Sequence, residues 1–73
     1  MAERVRIEVA FDGGQILGAL VEAPTADELE RALAAGGGHA LALDADDGRY
    51  TIALARVVYV KRFARESRVG FGA

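Results

Sequence analysis

The sequence predicts an α+β fold that is mostly β. The expected form is a curled antiparallel sheet of five or six strands, or a small SH3-like or Sm-like barrel, with one helix between strands 2 and 3. Three observations predict it. Several short segments alternate apolar and polar residues, the period-two signature of half-buried strands. One segment alone, around Ala23–Gly38, has helical spacing and helical punctuation. Short Asp- and Gly-rich turns separate the alternating segments, which suits hairpins rather than parallel crossovers.

The first element is "RVRIEVAF" (Arg4–Phe11), with Val5, Ile7, Val9 and Phe11 on one face and Arg4, Arg6, Glu8 and Ala10 on the other. "DGG" (Asp12–Gly14) supplies the residues that a tight hairpin needs. "QILGALVE" (Gln15–Glu22) returns, apolar on both faces: Ile16 and Leu20 on one, Leu17 and Val21 on the other. Leu20 is the expected core residue of this strand, and Gly18 suggests a bend, bulge or close backbone approach.

The helix follows. Thr25 is the expected N-cap and Glu28, three residues on, closes a capping box. Asp27, Glu28 and Glu30 suit the positive end of the helix dipole. Leu29, Ala32 and Leu33 form a narrow apolar stripe, and Gly36–Gly38 end the helix. That triplet follows a helix, whereas a phosphate-binding loop precedes one.

Three strand patterns complete the walk. "HALALD" (His39–Asp44) turns inward Leu41 and Leu43; "ADDG" reverses the chain; "RYTIALA" (Arg49–Ala55) offers Tyr50, Ile52 and Leu54 on one face. "RVVYVKRF" (Arg56–Phe63) is apolar on both sides, with Val57 and Tyr59 facing one way and Val58 and Val60 the other. Such a strand implies burial inside a curled sheet or against another subunit. The corner at Ala55–Arg56, between two apolar runs, has the character of small SH3-like barrels. The expected core is Val5, Ile7, Val9, Phe11, Leu20, Leu29, Leu33, Leu41, Leu43, Ile52, Leu54 and Val58 or Val60. In the closing "ESRVGFGA", Val69 and Phe71 alternate with glycine, the pattern of a short clasping strand that adds to a sheet edge of its own or a neighbouring subunit.

A chain of 73 residues makes one domain, 1–73. At this size only about 60% of the chain's surface is buried on folding, so stability is marginal without help. There is no cysteine and one histidine, His39, which leaves self-association as the expected support. No run approaches the roughly 20 apolar residues of a membrane span. The start "MAERVRIEV" enters a strand pattern directly, so no signal peptide and a cytoplasmic location are expected.

Net charge is −2 but unevenly spread. Residues 1–48 hold three Arg against ten Asp and Glu, a balance of −7; residues 49–73 hold five Arg and one Lys against one Glu, a balance of +5. Either the two halves neutralise each other within the fold, or a basic face meets an anionic partner.

Candidate chemistry is thin. "DADDG" (Asp44–Gly48) lacks the spacing of a calcium loop, whose twelfth position here would be Ala55. His39 has no nucleophile placed beside it by any motif, and the sole Ser is Ser67. No catalytic, cofactor-binding or metal-ligating residue is expected, and enzyme is the poorest class. Arg56, Lys61, Arg62, Arg65 and Arg68 are the candidate anion or nucleic-acid contacts, with Tyr59 and Phe63 interleaved as in single-strand binders. Val57, Tyr59, Val69 and Phe71 are the candidate oligomer interface.

Thr25–Glu28, the hairpin Leu41–Arg49, the strand Ala55–Val60 and the closing Ser67–Gly72 together resemble a family of small uncharacterised actinobacterial proteins, a domain of unknown function. Its members close on an R-V-G-F-G motif, which here is Arg68–Gly72. That resemblance implies no catalytic residue, because the family has no settled activity. A looser likeness is to Sm-like and other SH3-like barrels. Two functions are therefore expected in order: a non-enzymatic, homo-oligomeric assembly or protein-interaction module, or an Sm-like RNA-binding module using the basic C-terminal half.

Overall fold

The computed structural model describes residues 3–36 and 38–64. The fold is α+β and mostly β: strands β1 (Arg4–Phe11) and β2 (Ile16–Glu22), helix α1 (Ala23–Ala34), strands β3 (Ala40–Ala45) and β4 (Gly48–Ala53), a 3₁₀ turn (Leu54–Arg56) and strand β5 (Val57–Arg62). All pairings are antiparallel, in the order β4-β3-β2-β1-β5. The sheet does not close into a barrel: among the described residues no ladder joins β4 to β5. The sixth strand and clasp expected in the tail fall on residues 65–73, outside the described residues.

Strands β4 and β5 are consecutive in sequence yet lie on opposite edges. Strands sit ~4.8 Å apart, so the edges of a flat five-stranded sheet would be ~19 Å apart. A 3₁₀ turn advances only ~2 Å per residue, so the link from Ala53 to Val57 covers roughly half that distance. The sheet must therefore curl strongly. It bends where pairing is thinnest, between β2 and β3, which share one registered pair, Val21 with Ala45. A single further bond, from the Asp46 amide to the Leu20 carbonyl (3.0 Å), supports that seam. The corner is pinned at both ends: the Leu54 amide donates to the His39 carbonyl (3.1 Å) and the Asp12 amide to the Arg56 carbonyl (2.9 Å).

The core lies on the inner side of this curl. Ile7, Val9, Val21, Leu43, Ile52 and Leu54 are buried there with Ala26 and Leu29 of α1. Val5, Phe11, Leu33, Leu41 and Val60 pack around them, as the alternation predicts. On β2 the expected face is reversed. Val21 is 1% exposed and Leu20 39%, because Val21 pairs with inward Val5 and Leu20 with outward Arg6.

Two further expectations are corrected. The strand β2 runs straight into α1, since Glu22 still pairs with Arg4 and the helix begins at Ala23. Glu22 is the N-cap without a side-chain cap bond, Pro24 occupies the first turn, and the Ala23 amide donates to the Glu3 carbonyl (3.1 Å). The ladder outcompetes the local capping box, leaving Thr25 inside the helix. The irregularity expected at Gly18 is instead on β5. Phe11 pairs with Val57 but Ala10 with Tyr59, so Val58 is the extra residue of a β-bulge. The bulge breaks alternation: Val57 and Val60 both pack against the core, while Val58 and Tyr59 are exposed.

Turn chemistry matches the sequence. Gly14 (φ 88°) closes the β1–β2 hairpin, where the Phe11 amide donates to the Gln15 carbonyl (2.9 Å). Gly36 (φ 108°) ends α1, its amide donating to the Leu33 carbonyl (3.0 Å). Leu54, 3% exposed at the corner, is the most informative core position. Leu54→Ala should lower unfolding free energy by about 2–5 kcal/mol. Ile16→Ala, on the outer face, should change it by no more than about 0.5 kcal/mol. Urea denaturation followed by circular dichroism checks both, and equal effects would show that the face assignment is wrong.

Candidate functional site

The helix covers the inner face of the sheet, so any surface built for a partner lies on the outer face of β2, β1 and β5. Register places three cross-strand rows there. Ala10 lies between Ile16 and Tyr59; Glu8 lies between Gly18 and Lys61; Arg6 lies beside Leu20, with the Phe63 amide bonded to its carbonyl (3.0 Å). Ala10 is 7% exposed yet outside the core cluster. Its burial comes from the outer-face neighbours Ile16 and Tyr59, which are themselves 61% and 45% exposed. Gly18 adds no side chain to this face, and a Cβ built on it would enter open space.

Charged groups are threaded through the apolar ones. The Tyr59 hydroxyl donates to Glu8 Oε2 at 2.7 Å. Lys61 Nζ lies 4.5 Å and the Arg6 guanidinium 5.5 Å from the centre of the Phe63 ring. Arg4, Arg6 and Lys61 pair with no carboxylate among the described residues. Beside them a groove of about 570 Å³ is bounded by Glu3, Arg4, Val5, Arg6, Leu20, Phe63 and Ala64.

The expected basic set is dispersed by the fold. Arg62 sits on the inner side of β5 in line with Ile7 and reaches α1, pairing with Asp27 at 2.7 Å and Glu30 at 3.5 Å. Its pKa is raised, first by the hydrogen bond to Asp27. Arg56 reaches the Asp12 carboxylate at 3.5 Å. Only Lys61 of the described members lacks a carboxylate partner; Arg65 and Arg68 lie outside the described residues. Of the expected interface, Tyr59 is exposed, Val57 packs against the chain's own core, and Val69 and Phe71 lie outside the described residues.

The structure also brings to this face Arg4, Arg6 and Ile16, which the sequence did not mark as site residues, and Leu20, which it marked as core. Alternation already placed Arg4 and Arg6 outward. What it lacked was the adjacency of β1 and β5, a pairing of distant segments that brings them to Lys61 and Phe63.

The carboxylates of the β3–β4 hairpin are engaged locally. Arg49 pairs with Asp44 at 3.0 Å and the Tyr50 hydroxyl donates to Asp47 at 2.7 Å. Among the described residues no group of three or more His, Asp and Glu side chains is placed to hold a metal ion. Among them, too, no helix is long and apolar enough to cross a membrane. No family model, no curated protein and no solved structure matches the chain.

Both tyrosines titrate above their ordinary value, Tyr59 because its hydroxyl is bonded to Glu8 and Tyr50 because its hydroxyl is bonded to Asp47. Ionising either phenol loses that bond and sets a second negative charge beside the carboxylate. The stabilisation is complete below the unfolded tyrosine value, about 10, and is lost as pH rises through the folded value. In a Tyr50→Phe background, Glu8→Gln should move the Tyr59 titration down toward the ordinary value. Tyrosinate absorbance against pH reads this directly; an unmoved midpoint would mean that the Glu8 contact does not form in solution.

Proposed function

We propose that this chain is a non-enzymatic protein-interaction module that assembles with copies of itself through the outer face of its sheet. The observation that carries the reading is the exposure of Ile16 and Tyr59, which flank Ala10 on the face that α1 leaves uncovered. An exposed apolar surface rimmed by polar groups marks an interaction site on a small domain. This face bears both signs of charge, Glu8 among Arg6 and Lys61, so a two-fold interface can set one copy's anion against the other's cations. Self-burial also answers the marginal stability of so short a chain.

Light scattering should give a mass above that of the monomer at high micromolar concentration. Ile16→Arg and Tyr59→Asp should each return the monomer mass without loss of secondary structure. A monomer mass for the unsubstituted chain would remove the reading.

A second reading, RNA binding, is favoured by one arrangement: Arg6 and Lys61, without carboxylate partners among the described residues, lie over the Phe63 ring, and Arg4, likewise unpaired, lines the groove beside it. It draws on Arg4, Arg6 and Lys61 rather than on Arg56 and Arg62, which face the chain's own acids. Three phosphate contacts imply a slope of roughly −2 in log K against log salt for a single strand. Filter binding of single-stranded RNA at several salt concentrations checks this. Retention with that slope, weakened by Arg6→Glu, would support RNA binding; no retention at low salt would eliminate it.

A further inference from the structure

We infer that two copies of this chain pair the free edges of β2, antiparallel about Leu17, so that Ile16 of each copy covers Gly18 of the other. This rests on the self-association proposed above and names where the copies meet. Leu17 pairs with Val9 and Ala19 with Ile7 in the ladder to β1, and the Gln15 carbonyl accepts the Phe11 amide there (2.9 Å). In an antiparallel ladder alternate residues turn their N–H and C=O groups to opposite sides. The even-numbered residues of β2 therefore point away from β1, as the Leu20 carbonyl does in accepting the Asp46 amide (3.0 Å). Strand β3 meets β2 in register only at Val21. Among the described residues, no strand takes up the outward N–H and C=O groups of Ile16 and Gly18.

This edge is complementary to itself. Sheet edges are commonly blunted by charge or proline, yet residues 16–19, Ile-Leu-Gly-Ala, carry neither. The open stretch, residues 15–19, lies between the hairpin glycine Gly14 and the Asp46 bond at Leu20, and its midpoint is Leu17. A two-fold axis there sets Leu17 opposite its own copy and uses the whole stretch. Ile16 of one copy then exchanges both backbone bonds with Gly18 of the other. Side chains fit as well. A Cβ built on Gly18 would meet nothing within 4 Å, and Ile16 is 61% exposed. Glu8 lies beside Gly18 and holds the Tyr59 hydroxyl at 2.7 Å. An isoleucine entering the gap over Gly18 packs against that Tyr59–Glu8 pair, which joins the edge to the exposed outer face.

The other charged groups at this edge are Arg6, Asp46 and Asp47, which line a cavity of about 240 Å³ with Gly18, Ala19 and Leu20. They lie toward the Leu20 end. The two-fold axis places the two Leu20 ends ~20 Å apart along the strand at ~3.4 Å per residue, so these like charges do not face one another.

The Gly18 N–H points to the seam, so Gly18→Pro removes a seam donor and no bond to β1. By light scattering, Gly18→Pro should have the monomer mass at concentrations where the unsubstituted chain is an oligomer, with far-UV circular dichroism unchanged. The chain has no cysteine, so single cysteines report the register. Leu17→Cys should oxidise to a disulfide-linked dimer, because opposite residues of a non-hydrogen-bonded pair have Cα atoms ~4.5 Å apart. Ala19→Cys, on the same side of the strand but ~14 Å from its copy, should not. A folded Gly18→Pro protein that keeps the oligomer mass would overturn the edge pairing and leave self-association through the outer face standing. Failure of Leu17→Cys to link, or equal linking through Ala19→Cys, would overturn it too. A monomer mass for the unsubstituted chain would remove both readings.

Discussion

The short corner at Leu54–Arg56 is the constraint on which the rest of the structure depends. It joins the two edges of the sheet, and a link of that length cannot do so unless the sheet curls. Curling gives the sheet an inside small enough for one helix and a handful of aliphatic side chains to fill. Leu54 belongs to the corner and to that core at once. Fully burying such a side chain is worth about 1.5–3 kcal/mol, and here the burial also fixes where the edges meet. The bulge at Val58 follows from the same geometry. Directly after the corner β5 must join β1, whose end is held by the bond from Asp12 to Arg56, and the extra residue absorbs the mismatch.

Curling also divides the labour of the two faces. The inner side takes the helix, and the polar groups that reach it are used to hold it. Arg62 lies on that side and bridges to Asp27 and Glu30 across the open edge of the sheet. Acidic residues that look like dipole partners along the helix are thus anchors for a strand far away in sequence. The outer side receives no covering element, so its apolar residues remain on the surface. Exposure of Ile16 and Tyr59 is a consequence of topology: a five-stranded sheet with one helix has only one face to hide.

Much of this was legible in the sequence, and the limits are physical. Period-two alternation fixed β1, β3 and β4 with their inward residues, and the Asp–Gly and Gly signals placed both hairpins and the helix stop. Strand β2 was ambiguous because both faces are apolar; which one turns inward depends on its register with β1, a relation that alternation within one strand does not contain. On β5 alternation itself misled, since one inserted residue after Val57 exchanges the faces of all that precedes it. The helix start failed for a related reason. Thr25 and Glu28 are a good local cap, but pairing of Glu22 with Arg4 holds the chain extended up to the first helical residue. In each case a contact between distant residues overrode a sound local preference.

The uneven charge shows the same principle at the level of the surface. Halves of a sequence are not halves of a folded domain, and here β1 and β5, from opposite ends, lie side by side. The C-terminal cations Arg56 and Arg62 meet Asp12, Asp27 and Glu30 of the acidic half. Arg4 and Arg6, which belong to that acidic half, face outward beside Lys61 and Phe63 instead. Among the described residues, three of the four cations after Gly48 therefore meet the chain's own acids, while Arg4, Arg6 and Lys61 remain on the outer face of β1 and the edge strand β5. Exposed pairs of this kind are individually weak, about 0–1 kcal/mol, so they do not hold the fold together. Their effect is selective: they remove some charges from the surface that a partner meets and leave others. What a partner meets on the outer face is a mixed surface, with apolar Ile16, Leu20 and Tyr59 among cations and the carboxylates Glu8 and Glu22.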